Sequence, residues 1–405
     1  LAPLTPYVVD GTKIMLLIFL TVAALIFLAK AVITITVPFS LDYGEGPLLN
    51  QAVRLAAGQS IYAPGIESPP YTITNYPPLF MLTIAPFVKL LGPTLAAGRL
   101  IALLSTLATA LFLALIVRNL THDRLALMAT AVIFLANLYV MQWAGLMRVD
   151  MLALALSMAA LYLLVIWPTD RWSVVVAGLL LVAAIYTRQS YGLAAPLAAF
   201  VWLWHQERRQ ALWLLAIVGG LGLLIFAGLT AFTGGGFFFH IVTANVNAFS
   251  GLDYWLLNLL QTLPILLALG LLLLIVGWRR APIWSLLLPY LIGSFLTALT
   301  VGKIGSNVNY FLELSAALSL AAGLCLYWTR QRPWLYSGLL FLLVLQLGLF
   351  MRSSLAGPVS DLSFRRQDAS ALHELENIVA ETNDPILADE YMALLPLQER
   401  PLYLQ

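Results

Sequence analysis

Two carboxylates follow the first long apolar run of the chain, in the stretch Asp42-Tyr43-Gly44-Glu45-Gly46-Pro47. The polar segment behind them ends in Asn75-Tyr76-Pro77-Pro78-Leu79. A carboxylate held at the mouth of a membrane can take a proton from a reacting group as a general base. The stretch therefore predicts acid–base chemistry beside a lipid-borne substrate.

Isolated charges recur in the connections on the same side of the predicted membrane. Most of them stand singly at a helix end, where an ionisable group is costly unless it faces a cavity and has a partner. The set predicts a polar cavity ringed by both signs of charge. It comprises Asp42, Glu45, Arg54, Glu67, Lys89, Arg148, Asp150, Arg188, His240, Asp253, Lys303 and Glu313.

Arg188 and Lys303 are the candidates for binding a phosphate, because charge-assisted contacts from Arg or Lys are the strongest ones to that group. Lys303 lies in a polar, Gly-containing loop that ends in Asn309 and Tyr310 and suits a substrate headgroup. The alternative for both cations is ordinary snorkelling to the interface.

Asp150 opens a predicted span. It is either a helix N-cap, paired with Arg148, or a contact to substrate or metal. A divalent cation held by Asp42, Glu45 or Asp150 together with phosphate oxygens stays open as an alternative to metal-free chemistry. Four His and one Cys give no argument for a dedicated zinc site.

The elements that position these residues are membrane helices. Hydrophobic residues form 61% of the 405 and charged residues only 10%, whereas a soluble domain carries about 25% charged residues. Long apolar runs recur, and such non-alternating runs predict helices and not a barrel. The fold class is thus an all-α, polytopic helical bundle. The net charge of +2 gives no sign of a nucleic-acid partner, and the lone Cys325 excludes a disulfide framework.

About eleven spans are predicted, near 14–37, 100–117, 125–144, 151–167, 173–187, 190–204, 211–232, 256–276, 283–301, 310–328 and 334–351. Lys and Arg of alternate connections fall on one face, which the positive-inside rule makes cytoplasmic. These are Lys13, Arg118, Arg124, Arg171, Arg208, Arg209, Arg279, Arg280, Arg330 and Arg332. We therefore expect a cytoplasmic N-terminus, an extracytoplasmic C-terminus, and a first span that serves as an uncleaved signal. The chain starts at Leu1 and not Met, so we expect residues before it.

The membrane domain covers residues 1–351, and its first outer loop, 42–92, carries two non-spanning helices. Residues 46–58 have the apolar periodicity of an amphipathic helix lying along the interface. Residues 77–91 are apolar but short and proline-interrupted, which favours a re-entrant or interfacial helix. The remaining segment, 352–405, is mixed and charged. We expect an amphipathic helix near 365–381, a strand at 385–390, and either continuation beyond residue 405 or docking on the outer loops.

The order of these motifs resembles the GT-C superfamily of integral-membrane glycosyltransferases, in the branch with protein O-mannosyltransferases and lipid A aminoarabinose transferases. The resemblance covers residues 14–200. The stretches that carry it are Asp42 to Gly58, Tyr76 to Leu79, Arg99, Arg148-Val149-Asp150, and Thr187-Arg188-Gln189 followed by Ala194-Ala195-Pro196.

The resemblance implies a polyprenyl-phosphate sugar donor, an acceptor reached from the outer side of a bacterial-type plasma membrane, and inversion at the anomeric carbon. An acidic residue of the first loop acts as base or orients the acceptor. Relatives carry adjacent Asp-Glu, whereas two residues separate Asp42 from Glu45 here. Glu45 fits the usual Glu position, so it remains the rival, and we predict Asp42 as the base. Tyr76 stands where some relatives have Lys, so the phosphate contact must come from elsewhere.

Two other classes remain open. A transporter or lipid flippase also has many spans, but repeated halves and broken mid-membrane helices are typical of that class, and neither is visible in the sequence. A catalytically silent subunit of a larger membrane complex is compatible with the altered acidic motif. The sugar and the acceptor are not indicated by the residues.

Overall fold

The structure is a computed structural model and describes residues 5–277 and 283–403. These residues form helices and no strand, and the β-type pairing among them is one isolated bridge between Phe249 and Lys303. The predicted all-α class is confirmed. Arg279 and Arg280, predicted to be cytoplasmic, lie outside the described residues.

The α-helices follow one another with short connections. They are α1 Thr5–Thr36, α2 Glu45–Ala56, α3 Leu79–Leu91, α4 Leu95–Thr121, α5 Arg124–Ala136, α6 Leu138–Trp143, α7 Asp150–Ile166, α8 Arg171–Thr187, α9 Ala194–Gln206, α10 Arg208–Leu215, α11 Gly222–Phe232, α12 Gly236–Phe238, α13 Asp253–Thr262, α14 Pro264–Gly277, α15 Leu288–Leu299, α16 Leu312–Thr329, α17 Pro333–Glu381 and α18 Leu394–Leu397. The π-helical turns are Ala216–Leu221, Phe239–Thr243 and Ile283–Leu287, and the 3₁₀ turns are Gln189–Gly192, Thr300–Gly302 and Val308–Phe311.

Six helical stretches within the described residues are long and apolar enough to cross a membrane, or seven if one bent pair counts as a span. The chain is thus a multi-pass membrane protein. Helical segments occupy most of every predicted span, but several are only 13 to 17 residues long, so the count of eleven stays a prediction. The span of α16 is 89% buried and forms the centre of the bundle, whereas the stretch from Arg208 to Phe232 is 6% buried and lies at its periphery.

The predicted span 256–276 is broken into two helices, whereas its apolar run predicts one continuous helix. Helices α13 and α14 meet at 92°, because Pro264 has no backbone N–H and disfavours helical geometry at Leu263. The side chain of Gln346 on α17 satisfies the freed groups. Its Nε2 donates to the Thr262 carbonyl at 2.9 Å, and its Oε1 accepts from the Ile265 N–H at 3.1 Å. Gln346, Thr262 and Ile265 carry no charge, which argues against an ion pathway through this break.

Replacement of Gln346 by Leu is expected to destabilise the protein markedly. Gln346 is only 1% exposed, and each buried backbone group left without a partner costs about 1–3 kcal/mol. The measurement is the thermal unfolding midpoint of the purified protein in detergent. The matched control is Gln261→Leu, an exposed glutamine beside the same break. Equal midpoints for the two variants would contradict the bridging role.

The two ends of the bundle differ in the charges they carry. At one end, Lys13, Asp123 and Arg330 line a cavity of about 410 Å³, and Arg330 pairs with Asp123 at 3.5 Å. At the other end, the C-terminus of α8 and the N-termini of α4, α7 and α16 bring together the charges predicted for the outer loops. We call this second end the site end.

Helices α2 and α3 pack on each other at the site end and share one apolar cluster with Leu95 at the start of α4. Both ends of α3 lie at this same end of the bundle, because Tyr76 contacts Arg148 and Leu95 packs beside α2. Therefore α3 does not cross the bundle. The polar residues Asn50 and Gln51 of α2 are buried, unlike the solvent-facing polar side that the periodicity predicts.

The C-terminal segment folds back onto the first loop. Helix α17 continues through the predicted helix 365–381 to Glu381, and Met392 and Leu395 then pack against Phe39. The Tyr71 N–H donates to the Tyr403 carbonyl at 2.9 Å. The C-terminal segment therefore docks on the first loop. The strand expected at 385–390 is wrong, because this stretch is irregular and has no neighbouring strand with which to pair.

Candidate active site

Glu45 lies at the N-terminus of α2 and is completely buried against Arg99 of α4. Its Oε1 accepts from Arg99 Nε at 2.8 Å and from the Met147 N–H at 2.9 Å. Its Oε2 accepts from Arg99 Nη2 at 2.8 Å and from the Leu41 N–H at 2.7 Å. The bidentate geometry is the strong form of an Arg–carboxylate pair, and it leaves Glu45 no free position for a substrate proton.

Arg99 extends this anchor to the end of α1. Its Nη1 donates to the carbonyls of Thr34 and Val37, and its Nη2 also donates to the carbonyl of Phe39. The Glu45–Arg99 pair therefore fastens the chain before Asp42 to α4 and to the segment before Arg148. Its geometry favours a structural role for Glu45.

Asp42 is 12% exposed and pairs with Arg148, whose Nη1 lies 3.0 Å from Oδ1. The same Oδ1 accepts from the Gly44 N–H at 3.0 Å, and no described residue donates to Oδ2. A Cβ at Gly44 would overlap the Arg148 guanidinium, so a larger residue there would displace Arg148 from Asp42. Asp42 is thus a fixed carboxylate with one oxygen available.

Arg148 joins Asp42 to Tyr76. Its Nη2 donates to the Tyr76 hydroxyl at 3.4 Å, and its guanidinium lies 5.5 Å from the ring centroid of Trp143. Burial works to lower the pKa of Arg148, but Tyr76 and Asp42 outweigh it, so the pKa lies above its ordinary value. The guanidinium therefore stays charged in its buried position.

Asp150 forms a second carboxylate–guanidinium pair, with Arg188 at the C-terminus of α8. Its Oδ2 accepts from Trp143 Nε1 at 2.8 Å, and its Oδ1 accepts from Asn309 Nδ2 at 3.2 Å. The predicted pairing of Asp150 with Arg148 is wrong. Arg148 turns back towards the first loop, whereas Arg188 reaches Asp150 from the extended residue that ends α8.

Tyr76 lies between the two pairs. Its ring centroid is 6.0 Å from the Arg188 guanidinium, while its hydroxyl accepts from Arg148. The Tyr310 ring centroid lies 4.6 Å from the same guanidinium. Tyr76 thus connects the Asp42–Arg148 pair to the Asp150–Arg188 pair.

The segment that carries Tyr76 is pinned on both sides. The Thr74 N–H donates to Nδ1 of the buried His240 at 3.0 Å, and the Asn75 carbonyl accepts from Gln189 Nε2 at 3.0 Å. Burial lowers the pKa of His240, which favours the neutral ring that this acceptor role requires. These contacts give His240 a structural role.

Lys303 stands at the edge of this network. Its side chain is exposed, and its charge acts on Tyr310, which covers Arg188. Its loop is fixed by the bridge to Phe249 and by Asn247, whose Nδ2 donates to the Ile304 carbonyl at 3.1 Å.

Of the eight predicted site residues, seven lie within or beside one polar network. Glu45 is the residue set apart by its own buried partner.

Two members of the network were not predicted as site residues. Trp143 donates its Nε1 hydrogen to Asp150 Oδ2 at 2.8 Å, and its ring centroid lies 5.5 Å from the Arg148 guanidinium. Arg99 was named among the stretches that carry the family resemblance, but no role in the site was predicted for it. A single cation near the start of a long apolar helix was the signal for its buried role, because an ionisable group at membrane depth needs a partner.

The divalent cation left open by the sequence has no preformed ligand cluster. No group of three or more His, Cys, Asp or Glu side chains comes together among the described residues. The oxygens of Glu45 face Arg99 and backbone N–H groups, and those of Asp150 face Arg188, Asn309 and Trp143. Neither carboxylate is arranged as a metal ligand.

The chain is similar to known proteins in part of its sequence and in its fold. The profile of a family described as dolichyl-phosphate-mannose-protein mannosyltransferase matches residues 75–232. The structure of ArnT from Cupriavidus metallidurans bound to undecaprenyl phosphate aligns with a TM-score of 0.57 and 13% identity, and its apo form with 0.58 and 14%. Each alignment covers 96% of this chain and 85% of ArnT. No curated protein sequence matches the chain.

The chain has the ArnT fold. The predicted resemblance to the protein O-mannosyltransferase and aminoarabinose transferase branch is confirmed. The matched segment 75–232 contains Tyr76, Arg148, Asp150 and Arg188, which is most of the polar network. Asp42 and Lys303 lie outside that segment.

Proposed function

We propose that the protein is a membrane glycosyltransferase that moves a sugar from a polyprenyl-phosphate donor to an acceptor hydroxyl or amine. The observation that carries the proposal is the composition of the polar network. One carboxylate with an available oxygen stands beside two buried guanidinium groups, at one end of an ArnT-like bundle. The family match over residues 75–232 and the undecaprenyl phosphate bound by ArnT support the same donor class.

In the proposed reaction, Asp42 Oδ2 takes the proton of the acceptor. The acceptor atom forms a bond to the anomeric carbon while the bond from that carbon to the phosphate oxygen breaks. The polyprenyl phosphate leaves with both electrons of that bond, so the anomeric configuration inverts. A transition state of this kind has oxocarbenium character and needs a carboxylate on one side of the sugar ring.

Arg188 and Lys303 are proposed to hold the leaving phosphate, with Arg148 orienting Asp42. Positive charge beside the breaking bond stabilises the developing phosphate anion, and burial strengthens each contact. Asn309 and Tyr76 would fix the positions of Asp150 and of the two guanidinium groups. Asp150 would thereby act through Arg188 and not on the sugar.

We propose that the site end faces the outer side of the membrane. The support is the separation of charges, since Lys13, Arg330 and Asp123 meet at the opposite end. A cytoplasmic N-terminus and an extracytoplasmic C-terminal segment follow from this orientation. Glycosylation would then take place on the outer surface, with residues 382–403 lying over the first loop.

Replacement of Lys303 by Gln is expected to raise the KM for a polyprenyl-phosphate sugar by about tenfold or more, the value of one charge-assisted hydrogen bond. The fold should not change, because the side chain is exposed. The assay follows label transfer from a donor labelled in the sugar. The matched control is Lys89→Gln, an exposed lysine at the same end. Equal KM values for the two variants would remove Lys303 from the donor site.

The same assay separates the alternative functions. Purified protein that binds no polyprenyl phosphate and transfers no sugar would favour a silent subunit of a larger complex. Protein that moves a lipid-linked sugar across vesicles without transferring it would favour a flippase. Sugar transfer that is lost when residues of the site end are replaced would support the function as an enzyme.

A further inference from the structure

Glu313 lies in the first turn of α16 and takes no part in the proposed reaction. Its side chain is 2% exposed, and neither carboxylate oxygen meets a donor in full hydrogen-bond geometry among the described residues. The backbone N–H of Ala195, at the start of α9, is the main-chain donor that faces it. A buried carboxylate that is ionised and unpaired costs several kcal/mol or more. Its presence at the centre of the bundle therefore requires a compensating arrangement.

The cation that acts on Glu313 is Arg188, but that guanidinium already contacts Asp150. Two further buried groups around it also have no hydrogen-bond partner in the described part of the chain, namely the Tyr290 hydroxyl and Asn309 Oδ1. Three unpartnered polar groups thus belong to the buried surroundings of Glu313.

The titratable groups that face Glu313 come from several elements. Tyr191 from the turn after α8 and Tyr290 from α15 lie close enough to influence it electrostatically. Asp150 from α7 and Tyr310 reach it through Arg188, and Tyr139 packs on the neighbouring Phe311. None of these groups supplies a second positive charge.

The charges decide between an ionised and a neutral Glu313. Arg188 and Asp150 together are neutral, so an ionised Glu313 would give the inner group a net charge of −1. A phosphate placed there would meet net repulsion in a medium of low dielectric constant. A neutral Glu313 removes the repulsion and leaves the charge of Lys303 uncompensated.

We propose that Glu313 is held as a neutral carboxylic acid beside Arg188, and that a polyprenyl phosphate binds only while Glu313 keeps its proton. The inference rests on the proposed function, because it assigns the phosphate to Arg188. It makes donor binding sensitive to pH through a residue that acts electrostatically on the phosphate-binding cation and is not the base.

Undecaprenyl phosphate binding to the full-length protein in detergent, measured from pH 6 to 9, tests the inference. Wild-type affinity is expected to fall by up to about tenfold per pH unit once Glu313 titrates, as one linked proton requires. Glu313→Gln, which mimics the neutral acid, should lack this fall and match the wild type at low pH. Glu67→Gln is the control, since Glu67 is exposed and its removal should leave the wild-type profile. Ionisation of the phosphate itself affects all three proteins equally.

Parallel pH profiles for wild type and Glu313→Gln would overturn the inference. An infrared difference spectrum between these two proteins gives a second readout that needs no ligand. It should contain the C=O band of a protonated carboxyl group, and a carboxylate band in its place would also overturn the inference. If no variant binds undecaprenyl phosphate at any pH, the proposed function fails, while the infrared band still decides the protonation of Glu313.

Discussion

Replacement of Asp42 by Asn is expected to lower the rate of sugar transfer by about 10²–10⁴-fold, the usual contribution of a general base. Asparagine keeps the shape of the side chain and an oxygen that can accept from Gly44 and Arg148. It cannot take a proton from the acceptor. The expected effect is therefore on kcat, with little change in donor KM. It is measured as initial rates of label transfer at saturating donor.

The matched control for this prediction is Asp10→Asn. Asp10 is an exposed aspartate on α1, in an i,i+3 pair with Lys13 at the opposite end of the bundle. The control should transfer sugar at the wild-type rate. If Asp42→Asn also keeps the wild-type rate, another group is the base and the account of the site is wrong.

Replacement of Arg99 by Met is expected to lower the free energy of unfolding by about 3–5 kcal/mol, because it leaves Glu45 buried without its cation. Methionine retains most of the apolar volume of the side chain. The carbonyls of Thr34, Val37 and Phe39 would lose their donor as well. Thermal unfolding in detergent measures the loss. Arg118→Met, at an exposed arginine of the same helix, should unfold close to the wild-type temperature.

A double variant separates the cost of an unpaired charge from the loss of contacts. Glu45→Gln alone should also destabilise the protein, since Gln cannot satisfy both Arg99 nitrogens. When Glu45→Gln is added to Arg99→Met, part of the stability should return because no buried charge remains. Strictly additive losses would show that the buried ion pair is not the source of the effect.

The sequence predicted the helices well where apolar runs were continuous. The run at 125–144 is interrupted by Asn137, whose Oδ1 caps α6 by accepting from the Tyr139 N–H. The run at 256–276 bends sharply at Leu263 and Pro264. In both cases a polar or proline residue provided the local signal. The extent of the bend depends on Gln346, which lies on a helix far away in sequence and could not be assigned from the run itself.

The candidate site was predicted as a set of residues but not as a set of contacts. Isolated charges at helix ends identified Asp42, Arg148, Asp150 and Arg188. Which acid meets which cation depends on how helix ends approach one another, and periodicity contains no such information. Proximity in sequence suggested Arg148 for Asp150, whereas packing brings Arg148 to Asp42 and Arg188 to Asp150.

Glu45 illustrates the same limit. In sequence, Asp42 and Glu45 are equivalent acids of one loop, and only their surroundings separate them. Burial against Arg99 gives Glu45 four hydrogen-bond donors. Asp42 keeps one oxygen without a described donor. This difference, which arises from the approach of α4 to the first loop, is what favours Asp42 as the base.

Sugar transfer by purified wild-type, Asp42→Asn and Glu45→Gln proteins tests the central claim most directly. Each protein, confirmed as folded by gel filtration, receives a sugar-labelled polyprenyl-phosphate donor and a membrane fraction as the source of acceptor. We expect transfer by the wild type, transfer by the folded fraction of Glu45→Gln, and almost none by Asp42→Asn. Full transfer by Asp42→Asn, together with a folded but inactive Glu45→Gln, would contradict the account.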